Sequence, residues 1–200
     1  MYCTVILVIS FFPCQHLFAE DIPVGMSAAL SGLSKDLGQQ MKLGIELRFA
    51  EENRKGGVQG NKLQLIAMDD GYQPLMAAKN MRTLINDQKV LAILGNTGTP
   101  TAALTVPIAN RHRILMFGAY TGAELLRNEQ AGCCIFNYRA SYKQETAVIV
   151  QHILKSGIKA EEIAFFTQND AYGDAGYNGA ITELQAQGYE LLGVSADSEK

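Results

Sequence analysis

The chain has 200 residues, of which 48% are hydrophobic and 18% charged. That balance suits a packed globular protein and excludes a disordered one. A formal net charge of -3, with acids and bases interspersed, leaves no basic stripe for nucleic acid and no polybasic patch for a membrane surface. Nucleic acid is therefore not an expected partner.

Residues 1–12 carry no charge, and Val5, Ile6, Leu7, Val8 and Ile9 with Phe11 and Phe12 form an apolar run too short to span a bilayer. It reads as the core of a signal peptide over residues 1–19. Pro13 breaks the run, and Ala19 before Glu20 puts a small residue ahead of a cut. The leader lacks the usual basic start. Cys14 would suit a lipoprotein, but Phe11, Phe12 and Pro13 stand where small residues are needed, so cleavage after Ala19 is favoured over an uncleaved anchor. Cys3 and Cys14 leave with the leader, and the adjacent pair Cys133 and Cys134 remains. Neighbouring cysteines bridge only with strain, so two small buried residues are favoured over a redox or metal role. His16, His112 and His152 form no ligand-spaced pair. No metal and no cofactor is expected.

After the leader, residues 22–26 read as a first strand, followed by the small-residue loop Ser27 to Gly32. Residues 41–50 alternate apolar and polar in a strand period, but Ile45 is their sole β-branched residue and the run continues to Gly56 and Gly57, a helix stop. A helix is predicted. Residues 62–68 read as a second strand ending at Asp69, Asp70 and Gly71; Pro74 suits the first turn of a helix carrying Ala77, Met81, Leu84 and Ile85 at helical spacing. A strand over 90–94, a helix over 101–110 and a strand over 114–117 follow, then the loop Gly118 to Gly122. This alternation predicts an α/β fold, a parallel sheet wrapped by helices. Ligands of such sheets bind beyond the carboxyl ends of the strands, where all three loops rich in Ser, Thr and Gly fall.

A second cycle begins further on. Residues 134–138 could be a crossover strand, Ile149 to Leu154 mark a helix closed by Gly157, and 162–167, 177–187 and 189–194 read as strand, helix and strand. The expected organisation is a signal peptide (1–19), a first α/β lobe (20–140) and the incomplete start of a second lobe (141–200).

The loop "GNTGTPTA" (95–102) carries the most chemistry. A phosphate-binding loop needs a lysine where Thr99 and Pro100 stand, and Gly95 with Gly98 misses the dinucleotide pattern. What remains is a helix start whose hydroxyls and N–H groups suit a small anion such as a carboxylate, or a helix simply capped by Thr99 with Pro100 in its first turn. Asp69 and Asp70 lack the partners of a magnesium site and are expected to serve turns and caps. No Gly-x-Ser-x-Gly elbow occurs, and no catalytic set is found. Tyr172, within "NDAYGD" (169–174), could close over a ligand or be a half-buried turn residue.

Several stretches together resemble extracytoplasmic solute-binding proteins of the branched-chain amino-acid type, which serve ABC importers: "IPVGMSAALSG" (22–32), "GIELRFAEENRKGGVQGNKLQLIAMDDGYQP" (44–74), "LGNTGTPTAALTVPIA" (94–109), "FGAYTGAELLR" (117–127), "NYRASYKQET" (137–146) and "NDAYGDAG" (169–176). The resemblance implies the type I periplasmic-binding-protein fold, with two Rossmann-like lobes that close on a small ligand. It implies no enzymatic activity, an amino acid or similar small carboxylate as ligand, and a membrane permease as partner. By this resemblance the ligand's carboxylate meets the loop of Thr97, Gly98, Thr99 and Thr101, chiefly Thr99. The Ala119 carbonyl receives an ammonium, the Thr121 hydroxyl adds a contact, and Tyr172 presses from the second lobe. Tyr120 and the stretch from Arg139 to Tyr142 are further candidates. Leu37 stands near where amino-acid binders often carry an aromatic. The acid that typically meets the ammonium lies later than Lys200. Family members are markedly longer, so a truncated or partial member is expected, one that exposes apolar surface around 135–194. A ligand-sensing ectodomain of the same fold is the alternative role.

Overall fold

The computed structural model describes residues 21–127 and 134–190. The leader, Cys133 and the strand expected over 189–194, beyond its first two residues, lie outside them. Five strands, β1 (Ile22–Ala28), β2 (Leu63–Asp69), β3 (Ala92–Leu94), β4 (Leu115–Phe117) and β5 (Ile135–Phe136), alternate with α1 (Lys35–Arg54), α2 (Pro74–Asn86) and α3 (Thr99–His112). The strands form one sheet in the order β2-β1-β3-β4-β5, every pairing parallel.

The chain leaves β1 to one side for β2 and returns to the other for β3. That reversal opens a crevice at the carboxyl ends of β1 and β3, the place where a doubly wound sheet accepts a ligand. The loops after β1, β3 and β4 surround it.

The alternating segment within 41–50 is helical, as part of α1. Its charges explain why: Lys42 pairs with Glu46 at 2.5 Å, Arg48 with Glu52 at 2.8 Å and Lys55 with Glu51 at 2.6 Å, each four residues apart, a spacing that helps only a helix. Pro74 sits in the first turn of α2, where its missing N–H costs nothing. Met81, Leu84, Ile93 and Met116 meet at the centre of the core, and each such fully buried side chain contributes about 1.5–3 kcal/mol.

Two helices, α4 (Tyr142–Lys155) and α5 (Ala171–Ala186), follow β5. Val150, Ala180 and Leu184 form a separate small core between them. Their backbones approach closely, since a Cβ on Gly179 would lie 2.3 Å from the Thr146 hydroxyl. The strand expected over 162–167 is not found: residues 160–162 form a short 3-10 turn and 163–168 pair with no strand among the described residues. Among the described residues Phe166 is exposed.

Candidate functional site

The loops after β3 and β4 are zipped together by their backbones. The Tyr120 N–H donates to the Asn96 carbonyl at 2.5 Å and the Gly98 N–H to the Tyr120 carbonyl at 3.4 Å, extending the parallel ladder past the strand ends at Thr97 and Tyr120. Gly95 and Gly98, with φ of 68° and 99°, supply the left-handed turns this path requires.

The consequence is a convergence of hydroxyls. Thr99 Oγ1 lies 2.6 Å from Thr121 Oγ1, and both residues are buried. Thr121 Oγ1 also accepts the Ala123 N–H at 3.2 Å. Two hydroxyls bring two protons, and their mutual bond uses one. The pair thus keeps one proton beyond its mutual bond at the start of α3, where the helix dipole favours negative charge; with both side chains buried, an acceptor reaches it only if the two loops part. Thr99 does not cap this helix: α3 begins at Thr99, Gly98 holds the cap position, and no side chain caps it. Released from capping, the Thr99 hydroxyl is available to Thr121.

The neighbouring threonines are spent on the scaffold. Thr97 Oγ1 accepts the Ala29 N–H at 2.9 Å, which ties the loop after β1 to the loop after β3 across the crevice. Thr101 Oγ1 donates to the carbonyls of Thr97 and Gly98. The Ala119 carbonyl accepts the Thr121 N–H at 2.9 Å in a tight turn.

A cavity of 680 Å³, lined mostly by side chains of α4, α5 and residues 163–168, reaches this edge. Gly98 and Tyr120 line it from the first side, Tyr142, Gln168 and Tyr172 from the second, and Leu37, Tyr72 and Arg139 complete the wall. Thr97, Thr99, Thr101, Ala119 and Thr121 are buried and lie outside that lining. Of the residues expected at the site, Gly98, Tyr120, Arg139, Tyr142 and Tyr172 thus line the cleft, and Leu37 does as well.

The second wall is held by caps and rings. Ser141 caps α4 in a reciprocal box with Gln144, and the Asp170 carboxylate caps α5 by accepting the N–H groups of Tyr172 at 2.9 Å and Gly173 at 3.2 Å. Tyr142 and Tyr172 meet edge to face with centroids 5.3 Å apart. The Arg139 guanidinium sits 5.1 Å from the Tyr120 ring and 5.4 Å from the Tyr142 ring and pairs with Glu145 at 2.6 Å. Burial works against the Arg139 charge, but the hydrogen bond and charge of Glu145 outweigh it and hold its pKa above the ordinary value.

Asp69 and Asp70 serve the turn. Asp69 Oδ1 accepts the N–H groups of Leu30, Ser31 and Gly71; the Ser31 side chain above all, with these amides, keeps its pKa below the ordinary value. Asp70 is buried, and desolvation pushes its pKa up although it accepts from the Ser27 hydroxyl at 2.8 Å and the Tyr72 N–H at 2.9 Å. Among the described residues no group of three or more His, Cys, Asp or Glu side chains is placed to hold a metal.

Tyr72 is the residue that sequence reasoning missed. The signal was an aromatic in "DDGYQP", just past a strand's carboxyl end, in a stretch otherwise read as turn.

The comparisons with known proteins bear on the family and the fold. A family model of the periplasmic binding protein matches residues 21–197. The Leu/Ile/Val-binding protein of Escherichia coli K12 is 41% identical over 69 residues, 34% of this chain and 19% of that protein. The Leu/Ile/Val-binding protein BraC3 of Rhizobium johnstonii is 24% identical over 174 residues, 85% of this chain and 45% of its own length. The crystal structure of a possible leucine/isoleucine/valine-binding protein from Rhodopirellula baltica superposes with a TM-score of 0.82 at 44% identity, covering 86% of this chain and 46% of that one. The chain thus spans less than half the length of these relatives. They are substrate-binding proteins rather than enzymes, and they share the type I periplasmic-binding fold. By the extent of the family match, over residues 21–197, this chain belongs to the periplasmic binding protein family.

Proposed function

We propose that this chain is part of an extracytoplasmic solute receptor that binds an amino acid or similar small carboxylate between two lobes and hands it to the membrane permease of an ABC importer. The observation that carries the reading is the buried Thr99–Thr121 hydroxyl pair at the start of α3. Pre-positioned neutral donors at a helix N-terminus bind an anion without a compensating cation. The first lobe ends near residue 140, where β5 gives way to α4, and residues 1–19 serve as the export leader. The Ala119 carbonyl and the face of Tyr172 complete the grip. Thr97, Gly98 and Thr101 shape the loop, and Tyr120 flanks it.

Relatives named for leucine, isoleucine and valine put those amino acids first in the panel to test. Titration calorimetry on the purified protein with these three, then with other amino acids and small carboxylates, should give saturable one-to-one binding. No binding across the panel, or turnover of a substrate, would overturn the reading.

A further inference from the structure

The chain passes from β5 to α4 through residues 137–141, and that passage is sewn to the loop after β4. Asn137 Nδ2 donates to the Leu126 carbonyl at 2.9 Å, and the Tyr142 N–H to the Gly122 carbonyl at 2.8 Å. Arg127 spans the two segments with one side chain, its Nη1 donating to the Ala123 carbonyl at 3.0 Å and its Nη2 to the Arg139 carbonyl. A Cβ on Gly122 would lie 2.8 Å from Tyr142 Cδ1 and 2.9 Å from the Tyr142 nitrogen. Only a glycine beside Thr121 lets the start of α4 come this close.

Among these bonds, the one that reaches α4 stops at its first residue. The Arg139 side chain carries the joint further, into the first turn. Its guanidinium lies over the Tyr120 ring and over the Tyr142 ring, and its Nη2 meets Glu145 Oε1 at 2.6 Å. Tyr120 precedes Thr121, and its backbone is fixed in the ladder with Asn96 and Gly98. Tyr142 in turn meets Tyr172 at the start of α5. One flat cation therefore joins the hydroxyl edge to the helix pair opposite it. A lysine in its place would keep the charge but would have no planar face to lay on the rings.

We infer that Arg139 is the positioning residue of this joint: held by Tyr120, Tyr142 and Glu145, it sets how the α4–α5 pair stands against the Thr99–Thr121 edge, and so tunes affinity without itself binding the ligand. The affinity half of this inference rests on the receptor reading above; the joint does not. Glu145 already answers the Arg139 charge, which separates positioning from direct contact. If Arg139 bound a ligand carboxylate, removing Glu145 would free the cation and tighten binding; if it positions the helix pair, removing Glu145 loosens the joint and weakens binding.

Two measurements on the purified protein test this. The first is ligand-free: a double-mutant cycle by urea unfolding with Tyr120→Leu and Arg139→Met. The two substitutions should be coupled by about 2- to 5-fold in the folding constant, as for a cation over a ring. Additive losses would overturn the joint. The second is calorimetric affinity for L-leucine under conditions where each variant is folded. Arg139→Lys and Glu145→Ala should each bind about 2- to 5-fold more weakly than the unaltered protein. Unchanged or tighter binding in either variant would overturn the affinity half, because a residue that served stability alone would leave the folded protein's affinity unmoved. If the unaltered protein binds neither L-leucine nor any other member of the panel, the receptor reading fails together with the affinity half, and the cycle decides the joint.

Discussion

Helices α1 and α5 begin in the same way on different foundations. Gly38 near the start of α1 and Gly173 near the start of α5 each pass over a carbonyl of the loop that feeds the helix: a Cβ would lie 2.0 Å from the Ala29 oxygen in one case and 1.8 Å from the Gln168 oxygen in the other. Beneath the first lies β1, seven residues long and paired on both sides. Beneath the second lies 163–168, extended but paired with nothing among the described residues. Among the described residues, the first wall is tied to sheet ladders and the second to helix caps and an edge-to-face ring pair.

The sharpest way to break this comparison is to fill both glycines. Gly38→Ala forces a methyl into backbone that cannot move and should cost about 3 kcal/mol, the upper end for overpacking. Gly173→Ala meets backbone free of a ladder and should cost about 1 kcal/mol, the lower end. Urea unfolding of both variants measures the difference. Equal losses would mean that the second wall is as firmly founded as the first.

The fixed wall should also carry most of the binding energy. Thr99→Ala together with Thr121→Ala removes the hydroxyl pair and should weaken ligand binding by about 1–3 kcal/mol, through lost hydrogen bonds to a charged group. Neither hydroxyl is left without the other, but the buried Ala123 N–H loses its Thr121 acceptor, so a stability loss of about 1 kcal/mol is also expected. Calorimetry and urea unfolding on the same preparation separate the two effects. The yielding wall shows the reverse pattern: Ser141→Ala breaks the capping box of α4 and should cost about 1 kcal/mol of stability, while leaving the carboxylate grip intact.

The same contrast explains what could be read in the sequence. Strand, loop and helix in the first half are specified locally, by Pro74 in a helix start, by glycines at left-handed turns and by charges four residues apart along α1. These signals need no distant partner, so β1 to β4 and α1 to α3 overlap the predicted segments, although α1 begins at Lys35 rather than Met41 and α3 at Thr99 rather than Thr101. The segment 162–167 has a strand's composition, but a ladder partner decides whether it becomes one. Thr99 was legible as a helix-start residue with an anion-binding role or a capping role; which of the two its hydroxyl plays depends on Thr121, 22 residues away. Tyr72 was illegible for a related reason. Its local reading is a turn, and its ring packs on Gly98, which the fold alone brings to it.

The smallest expected effects distinguish the two adjacent carboxylates that pin Tyr72. Asp69 is exposed and its folded pKa lies below 3.8, chiefly through Ser31 and the loop amides. Its stabilisation is present above pH 3.8 and is lost as pH falls through the folded value. Asp70 is buried and its folded pKa lies above 3.8, chiefly through desolvation. Its protonated form is favoured by folding, so its stabilisation is present below pH 3.8 and is lost as pH rises through the folded value. On acidification the two therefore oppose one another. Asp69→Asn should make the acid loss of stability shallower and Asp70→Asn should make it steeper. For Asp69 the change stays below about 1 kcal/mol, because solvent screens an exposed carboxylate. Urea midpoints at about pH 3 and about pH 6 read both slopes. If the two variants changed the slope in the same direction, the buried and exposed members of the pair would not differ as their surroundings dictate, and the turn beneath Tyr72 would be pinned by something other than these carboxylates.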